Sequence, residues 1–130
     1  MKIFGIGTDI VNIKRMEKSL KRNGKIFKGK IFSKREIVYC DIKNNPYPFY
    51  AKRFAAKEAF SKALGTGIRK GIDFKNIEIF NDKLGKPSIT LKGTTESYLK
   101  KKIKAHKYFI YLSLSDDYPW AQATVVISYN

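Results

Sequence analysis

Cysteine and histidine are the scarcest reactive residues of this 130-residue chain, which contains one of each, Cys40 and His106. A single cysteine excludes an intrachain disulfide and favours a reducing compartment. A zinc site is not predicted either, because it would need more cysteine and histidine ligands than the chain has. His106 lies between lysines where a helix is expected to end, so we expect it to have a capping or surface role. With no nucleophile paired to a base, covalent catalysis is not predicted.

Long apolar runs are also missing. The longest early run, residues 3–13, is interrupted by Asp9 and has no cleavage-site pattern, so neither a signal peptide nor a membrane span is predicted. Internal repeats, low-complexity linkers and phosphate-binding glycine loops are absent as well. The length and the hydrophobic fraction of 43% are those of one globular domain, residues 1–130. We expect a cytoplasmic protein that does not bind membranes.

Acidic residues are few, at 11 against 27 basic ones, and the formal net charge is +16. Such an excess attracts polyanions, including nucleic acids, acidic proteins, phosphorylated ligands and anionic membranes. The densest basic stretch could be no more than a solvated face. It lies, however, on a predicted amphipathic helix (residues 13–23, with Gly24 as its stop) and on the exit from that helix. This position favours an acidic macromolecular partner. In that stretch only Glu17 opposes the basic residues Lys14, Arg15, Lys18, Lys21, Arg22, Lys25, Lys28, Lys30, Lys34 and Arg35.

Two other classes of protein remain possible at this stage. A nucleic-acid-binding module is favoured by the net charge, but arginine is scarce, no recognised motif is present, and the aromatic residues follow strand and core patterns. A structural interaction protein would use its carboxylates only in ion pairs. No nucleic-acid partner is expected.

The central feature of the chain is the predicted helix over residues 53–65, which is apolar on both sides and rich in alanine. Glu58 lies within it, and a buried carboxylate is costly unless it is paired or bound to a metal. Lys62 could pair with it at the favourable spacing of four, whereas Arg53 and Lys57 repel each other at the same spacing. From this helix alone, an ordinary ion pair and a metal-bound carboxylate among phosphate-binding cations are both open.

A second carboxylate, Asp9, ends the strand predicted over residues 1–11. Ile3, Gly5 and Gly7 share its face, and the glycines leave room for a helix to approach. Asp9 could be a helix-entry residue favoured by the helix dipole. If the strand packs on the central helix, Asp9 and Glu58 could instead hold one ion, and such oxygen ligands suit Mg²⁺ together with substrate phosphates.

The remaining patterns predict an α+β fold, with an antiparallel β-sheet packed around the central helix. A capping box at residues 33–36 starts a short helix that ends near residue 43. A hairpin joins strands 77–80 and 87–91, and a helix follows from Thr94 or Thr95 to about residue 105. Two alternating strands close the chain, residues 108–115 and 121–129.

Taken together, these motifs resemble the holo-acyl-carrier-protein synthases, the small-subunit type of 4′-phosphopantetheinyl transferase. The resemblance extends over essentially the whole chain in the family's order and spacing, and its longest and most specific motif is the central one. The motifs that carry it are GIGTDI at residues 5–10, RFAAKEAFSKA at residues 53–63, GTG at residues 65–67, GKP at residues 85–87, and LSLS at residues 112–115 with residues 121–127.

This resemblance implies a 4′-phosphopantetheinyl transferase-like fold and Mg²⁺-dependent transfer of phosphopantetheine from coenzyme A to a serine of apo-acyl carrier protein, as in fatty acid biosynthesis. Adenosine 3′,5′-bisphosphate would be released. Asp9 and Glu58 would bind the metal together with the coenzyme A pyrophosphate, and catalysis would also use Lys62. The base that deprotonates the serine stays open between Glu58 and water. Contacts to coenzyme A are implied for Arg53, Lys57, Ser61, Lys62, Gly65 and Pro87.

The resemblance also implies a homotrimer with active sites between subunits. The acidic carrier protein would dock on the first helix, at Lys14, Arg15, Lys18, Lys21, Arg22, Lys25 and Lys28. One position departs from the family pattern: many members have histidine directly after the Ser-x-Ser of the penultimate strand, where this chain has Asp116. A histidine that positions the coenzyme is therefore not expected at this place.

Overall fold

The structure is a computed structural model, and it describes residues 1–105 and 107–130. The role predicted for His106 lies outside the described residues. A short 3₁₀ turn, Phe74–Asn76, precedes the hairpin. The other elements, in chain order, are β1 (Lys2–Asn12), α1 (Ile13–Ile31), α2 (Lys34–Asp41), α3 (Tyr47–Leu64), β2 (Ile77–Asn81), β3 (Pro87–Leu91), α4 (Gly93–Ile103), β4 (Tyr108–Asp117) and β5 (Trp120–Tyr129).

The predicted α+β architecture is confirmed. Three long strands form an antiparallel sheet in the order β1-β5-β4, and β2 and β3 form a separate antiparallel hairpin. The central helix α3 packs across β1 and β5. Alternate residues of β5 are buried there against the alanines of α3, so the largest core cluster lies between this helix and the sheet.

The two glycines of β1 allow α3 to approach closely, as the sequence predicts. A Cβ on Gly5 or Gly7 would overlap the backbone of Ala63 or Ala59, so no larger residue fits at this crossing. The expected position of Ile3 is wrong, because a bulge between Ile3 and Gly5 shifts the alternation and leaves Ile3 59% exposed. Asp9 is the next residue on this face of β1, so the close contact at the glycines places Asp9 beside α3.

The predicted end of the first helix at Gly24 coincides with a break inside α1, because Asn23 has the non-helical φ and ψ of −139° and 49°. A second helical segment, which the sequence did not predict, continues from this kink to Ile31. Its second half buries Ile31 and packs Phe27 against a second core cluster, which also includes Phe32. Tertiary burial therefore outweighs the weak helix propensity of glycine in this segment.

The start of α2 is confirmed in detail. The backbone N–H of Glu36 donates to the Ser33 hydroxyl, and the Glu36 carboxylate accepts from the Ser33 backbone N–H at 2.9 Å, which completes the capping box. Cys40 is buried in this helix, and burial raises the pKa of its thiol to about 12. Within residues 1–105 and 107–130, no helix is long and apolar enough to cross a membrane.

Candidate active site

The first feature of the site is the group formed by Asp9, Glu58 and Lys62. Lys62 Nζ donates to Asp9 Oδ1 at 3.0 Å and to the carbonyl oxygen of Thr8 at 3.0 Å. Of the two alternatives that the helix left open, the ordinary ion pair between Glu58 and Lys62 is not formed, because β1 crosses α3 at this turn and presents Asp9 to the ammonium. Among the described residues, Glu58 takes part in no ion pair. The structure therefore places two carboxylates beside one lysine.

The electrostatics of this group favour a bound cation. Burial, and then the neighbouring Asp9, raise the pKa of Glu58, while Lys62 acts in the opposite direction. Within the described part of the chain, no cluster of three or more histidine, cysteine, aspartate or glutamate side chains is present. Asp9 and Glu58 could hold a Mg²⁺ ion only if water or substrate phosphates supplied its other oxygen ligands.

A cavity of about 330 Å³ connects the two carboxylates to α1. Arg15, Met16 and Ser19 line it from α1, and Phe54 and Phe27 form apolar walls. The lining combines the two carboxylates with apolar side chains and with polar residues of α1. A molecule that docks on α1 could therefore insert a flexible arm toward Asp9 and Glu58.

The predicted basic face of α1 is largely exposed. Lys14, Arg15, Lys18, Lys21, Arg22 and Lys25 are all solvent-exposed. Lys28 differs, because it is half-buried and its Nζ lies 3.0 Å from Asp41 Oδ1. Of these predicted partner-binding residues, Arg15 reaches the cavity that contains the carboxylates.

Arg53 and Pro87, both predicted to contact coenzyme A, line a second cavity of about 210 Å³. It shares no lining residue with the first cavity, since the two lie on different faces of α3. The Arg53 side chain is only 2% exposed and donates from Nη2 to Asn81 Oδ1 at 2.6 Å. Its guanidinium stacks 4.0 Å from the centre of the Tyr39 ring. These two predicted coenzyme A residues thus lie in a different cavity from Asp9 and Glu58.

Comparison with known proteins identifies the family. Residues 5–123 match the model of the 4′-phosphopantetheinyl transferase superfamily. The chain belongs to this superfamily. The holo-[acyl-carrier-protein] synthase of Dinoroseobacter shibae is 46% identical over 127 residues, which cover 97% of this chain and 91% of that protein.

Solved structures of holo-[acyl-carrier-protein] synthases have the same fold as this transferase. That of Neisseria meningitidis is 40% identical and superposes with a TM-score of 0.85, covering 97% of this chain and 98% of that one. The enzyme of Helicobacter pylori, solved in complex with coenzyme A, is 37% identical with a TM-score of 0.79 and covers 95% of this chain and 99% of that one. The fold and family expected from the motifs are confirmed.

Other predicted site residues of the transferase have structural partners. Lys57 is fully buried, and its Nζ donates to Glu36 Oε1 at 2.8 Å, to the Phe74 carbonyl at 2.8 Å and to the Ile77 carbonyl. Because an ammonium has three N–H donors, these bonds use all of them. The repulsion expected between Arg53 and Lys57 is thus offset by Glu36. A coenzyme A contact at Lys57 stays a prediction.

Ser61 and Gly65 shape the end of α3. The Ser61 hydroxyl is buried and donates to the Glu58 carbonyl at 2.7 Å. Gly65 ends the helix with φ of +89°, a left-handed conformation that glycine adopts readily. Their coenzyme A contacts also stay predictions. Sequence reasoning missed Lys52 and Asn81 in the second cavity, although Lys52 directly precedes the central motif and carries a charge.

Proposed function

We propose that this transferase moves 4′-phosphopantetheine from coenzyme A to a serine hydroxyl of an apo-acyl carrier protein, with Mg²⁺ at Asp9 and Glu58. The observation that carries the proposal is the pair of carboxylates in a cavity that the basic helix α1 also lines. The names of the relatives and the coenzyme A complex of one of them support the same reaction. The acyl carrier protein of fatty acid biosynthesis is the acceptor we expect.

The protein groups contribute mainly position and charge. A bound Mg²⁺ would neutralise negative charge on the diphosphate of coenzyme A. Asp9 and Glu58 would hold that ion, and Lys62, whose side chain is 53% exposed, has the freedom to turn from Asp9 to a phosphate oxygen. Such transfers need little covalent chemistry from the protein.

Atoms balance simply in this reaction. The serine oxygen bonds to the phosphorus that carries pantetheine, and the bond from that phosphorus to the bridging oxygen breaks. Adenosine 3′,5′-bisphosphate leaves with the bridging oxygen. The serine proton passes to Glu58 or to water.

An acidic carrier protein fits the exposed cations of α1. Lys14, Arg15, Lys18, Lys21, Arg22 and Lys25 would attract it, and Lys28 would take part if it exchanged Asp41 for a partner carboxylate. Electrostatic attraction of this kind mainly raises the association rate and sets orientation. Docking there would leave the modified serine at the mouth of the cavity that leads to Asp9 and Glu58.

A homotrimer would explain why Arg53 and Pro87 lie in a different cavity from Asp9 and Glu58, because the second cavity of one subunit could complete the first cavity of its neighbour. The outer face of the sheet supplies an apolar surface for such contacts. Ile6, Val126 and Tyr111 are in register across β1, β5 and β4, and Ile6 is 67% exposed. Ile6→Glu should convert the trimer to monomers in light scattering and remove activity, whereas an unchanged mass would contradict this interface.

One experiment tests the reaction directly. The protein is incubated with coenzyme A, Mg²⁺ and an apo-acyl carrier protein, and the carrier is then weighed by mass spectrometry. We expect a gain equal to one phosphopantetheine group, which disappears when the acceptor serine is replaced by alanine or when the metal is chelated. A carrier that keeps its mass under all conditions would contradict the proposal.

A further inference from the structure

A second dense group of cations lies at the end of the sheet opposite the candidate active site. Between Glu96 and Asp116 the sequence has five lysines and no acidic residue. Together with the first lysine of β1 they form a group that we call the basic tip. Its members are all solvent-exposed: Lys2, Lys100, Lys101, Lys102, Lys104 and Lys107.

Strand pairing fixes where the basic tip lies. Tyr129 of β5 pairs with both Lys2 of β1 and Tyr108 of β4, and the backbone N–H of Asn130 donates to the Lys107 carbonyl at 3.1 Å. Asp9 is at the other end of β1, and a strand rises about 3.3 Å per residue, so the two ends are about 20 Å apart. The basic tip is therefore separate from the two carboxylates.

The charges of the basic tip are concentrated and little neutralised. Among the described residues, Lys100 is the one member that has an ion-pair partner, Glu96 at 3.9 Å. Residues 100–104 extend about 6 Å along a helix axis, less than the Debye length of about 8 Å at physiological salt, so their fields add. The cations of α1 are spread over about 20 Å instead, and two of them are in ion pairs.

Lys104 has a backbone conformation that is unusual for lysine. It ends α4 with φ of 53° and ψ of 38°, in the left-handed region. The other residues with positive φ in the described part of the chain are all glycines, and glycine is the residue that such a helix end favours. A lysine here is less stable than glycine but adds an exposed charge. Strained positions of this kind cluster at functional sites.

The shape of the basic tip indicates the kind of partner. Successive helix residues point in directions about 100° apart, so three consecutive lysines cannot share one flat protein interface. Nucleic acids are typically bound by arginine and by aromatic side chains that stack on bases, and the basic tip has no arginine. The headgroups of anionic lipids form an extended plane, which long lysine side chains reach without a fixed geometry.

We propose that the basic tip binds the headgroups of an anionic lipid membrane, reversibly and by electrostatic attraction. This differs from the sequence-based expectation that the protein does not bind membranes, which rested on the lack of a long apolar run. Because Asp9 lies at the other end of β1, contact through the basic tip leaves the carboxylates accessible.

Co-sedimentation of the protein with vesicles of phosphatidylcholine and phosphatidylglycerol tests the inference. The tip variant combines Lys101→Gln, Lys102→Gln and Lys104→Gln. One lysine near an anionic surface contributes about fivefold to binding, so the tip variant should bind these vesicles about a hundredfold more weakly. Binding of the unaltered protein should fade as salt rises and be absent with vesicles of phosphatidylcholine alone.

The matched control combines Lys14→Gln, Lys18→Gln and Lys25→Gln, which removes the same charge from α1 and should weaken vesicle binding less than about tenfold. Lys104→Gly should raise the urea midpoint, because glycine relieves the strain, and still weaken vesicle binding about fivefold. A role in the helix end alone would move only the urea midpoint.

Four results would overturn the inference. The first is that the unaltered protein does not bind anionic vesicles at low salt, and the second is that the α1 control weakens vesicle binding as much as the tip variant does. The third is that Lys104→Gly leaves vesicle binding unchanged. The fourth is that a double-stranded DNA fragment binds more tightly than the vesicles and loses this affinity in the tip variant, because the partner would then be a nucleic acid.

Discussion

Replacing Lys57 by alanine should destabilise the fold far more than it changes chemistry at the metal site. Both partners of the Lys57–Glu36 pair are 0% exposed at their side chains. Glu36 also accepts from the backbone N–H of Ser33 at 2.9 Å and from that of Ile79 at 3.0 Å. The pair therefore joins α2, α3 and the β2–β3 hairpin at one buried point.

The size of the effect follows from that burial. Desolvation lowers the pKa of Lys57 and the Glu36 charge opposes this, so the ammonium depends on its partner. Lys57→Ala would leave the Glu36 carboxylate buried without its counter-charge and two carbonyl groups without a donor. Breaking such a pair typically costs about 3–5 kcal/mol. That is a large part of the roughly 5–15 kcal/mol that stabilises a domain.

Urea unfolding followed by circular dichroism would measure this loss. The matched control is Lys62→Ala, which removes a lysine from the same helix at a side chain that is 53% exposed, and it should cost less than about 1 kcal/mol. Lys57→Met combined with Glu36→Met should recover stability relative to Lys57→Met alone, because no charge stays buried. A loss below about 1 kcal/mol for Lys57→Ala, with coenzyme A affinity reduced, would refute the structural role.

Other predictions concern the rest of the site. Asp9→Asn and Glu58→Gln should each abolish Mn²⁺ binding measured by electron paramagnetic resonance while the fold survives, and retained binding would contradict the metal assignment. In the unaltered protein Mn²⁺ affinity should fall as the pH drops through the raised pKa of Glu58. Gly7→Ala should lower the unfolding free energy by about 1–3 kcal/mol, because its Cβ would overlap α3; an unchanged urea midpoint would contradict this. Arg15→Glu with Lys21→Glu should raise the KM for the carrier at low salt, an effect that fades as salt rises, and no change would leave α1 as a solvated face.

The elements that local physics specifies were predictable from the sequence. The capping box of α2, the left-handed glycine that ends α3 and the hairpin turn each depend on residues within a few positions of one another. The second helical segment of α1 was not predictable in this way. Gly24 follows the break at Asn23, but whether Phe27 and Ile31 find a core beyond it depends on segments distant in sequence.

The candidate metal site was predictable in part for a similar reason. Glu58 lies on a helix that is apolar on both sides and therefore needs a partner. The glycines before Asp9 predict that the strand crosses this helix closely. The identity of the partner of Lys62 was missed, because a spacing of four favours Glu58 within the helix. The crossing of β1 brings Asp9 Oδ1 to 3.0 Å and reverses that preference. The preference for ion pairs between helix residues four apart therefore fails where a crossing strand offers a carboxylate at the same turn.

Lys57 and Arg53 show where sequence reasoning stops on a single helix. Both are basic and both lie in the family motif. Because they are four residues apart, sequence reasoning places them on the same side of the helix. Tertiary packing separates them, because Glu36 and two carbonyl groups use every donor of Lys57, whereas Arg53 keeps a buried Nε without a partner among the described residues. Only the second still has hydrogen-bonding capacity for a ligand. The arrangement therefore assigns Lys57 chiefly to stability, whereas a coenzyme A contact at Arg53 stays a prediction.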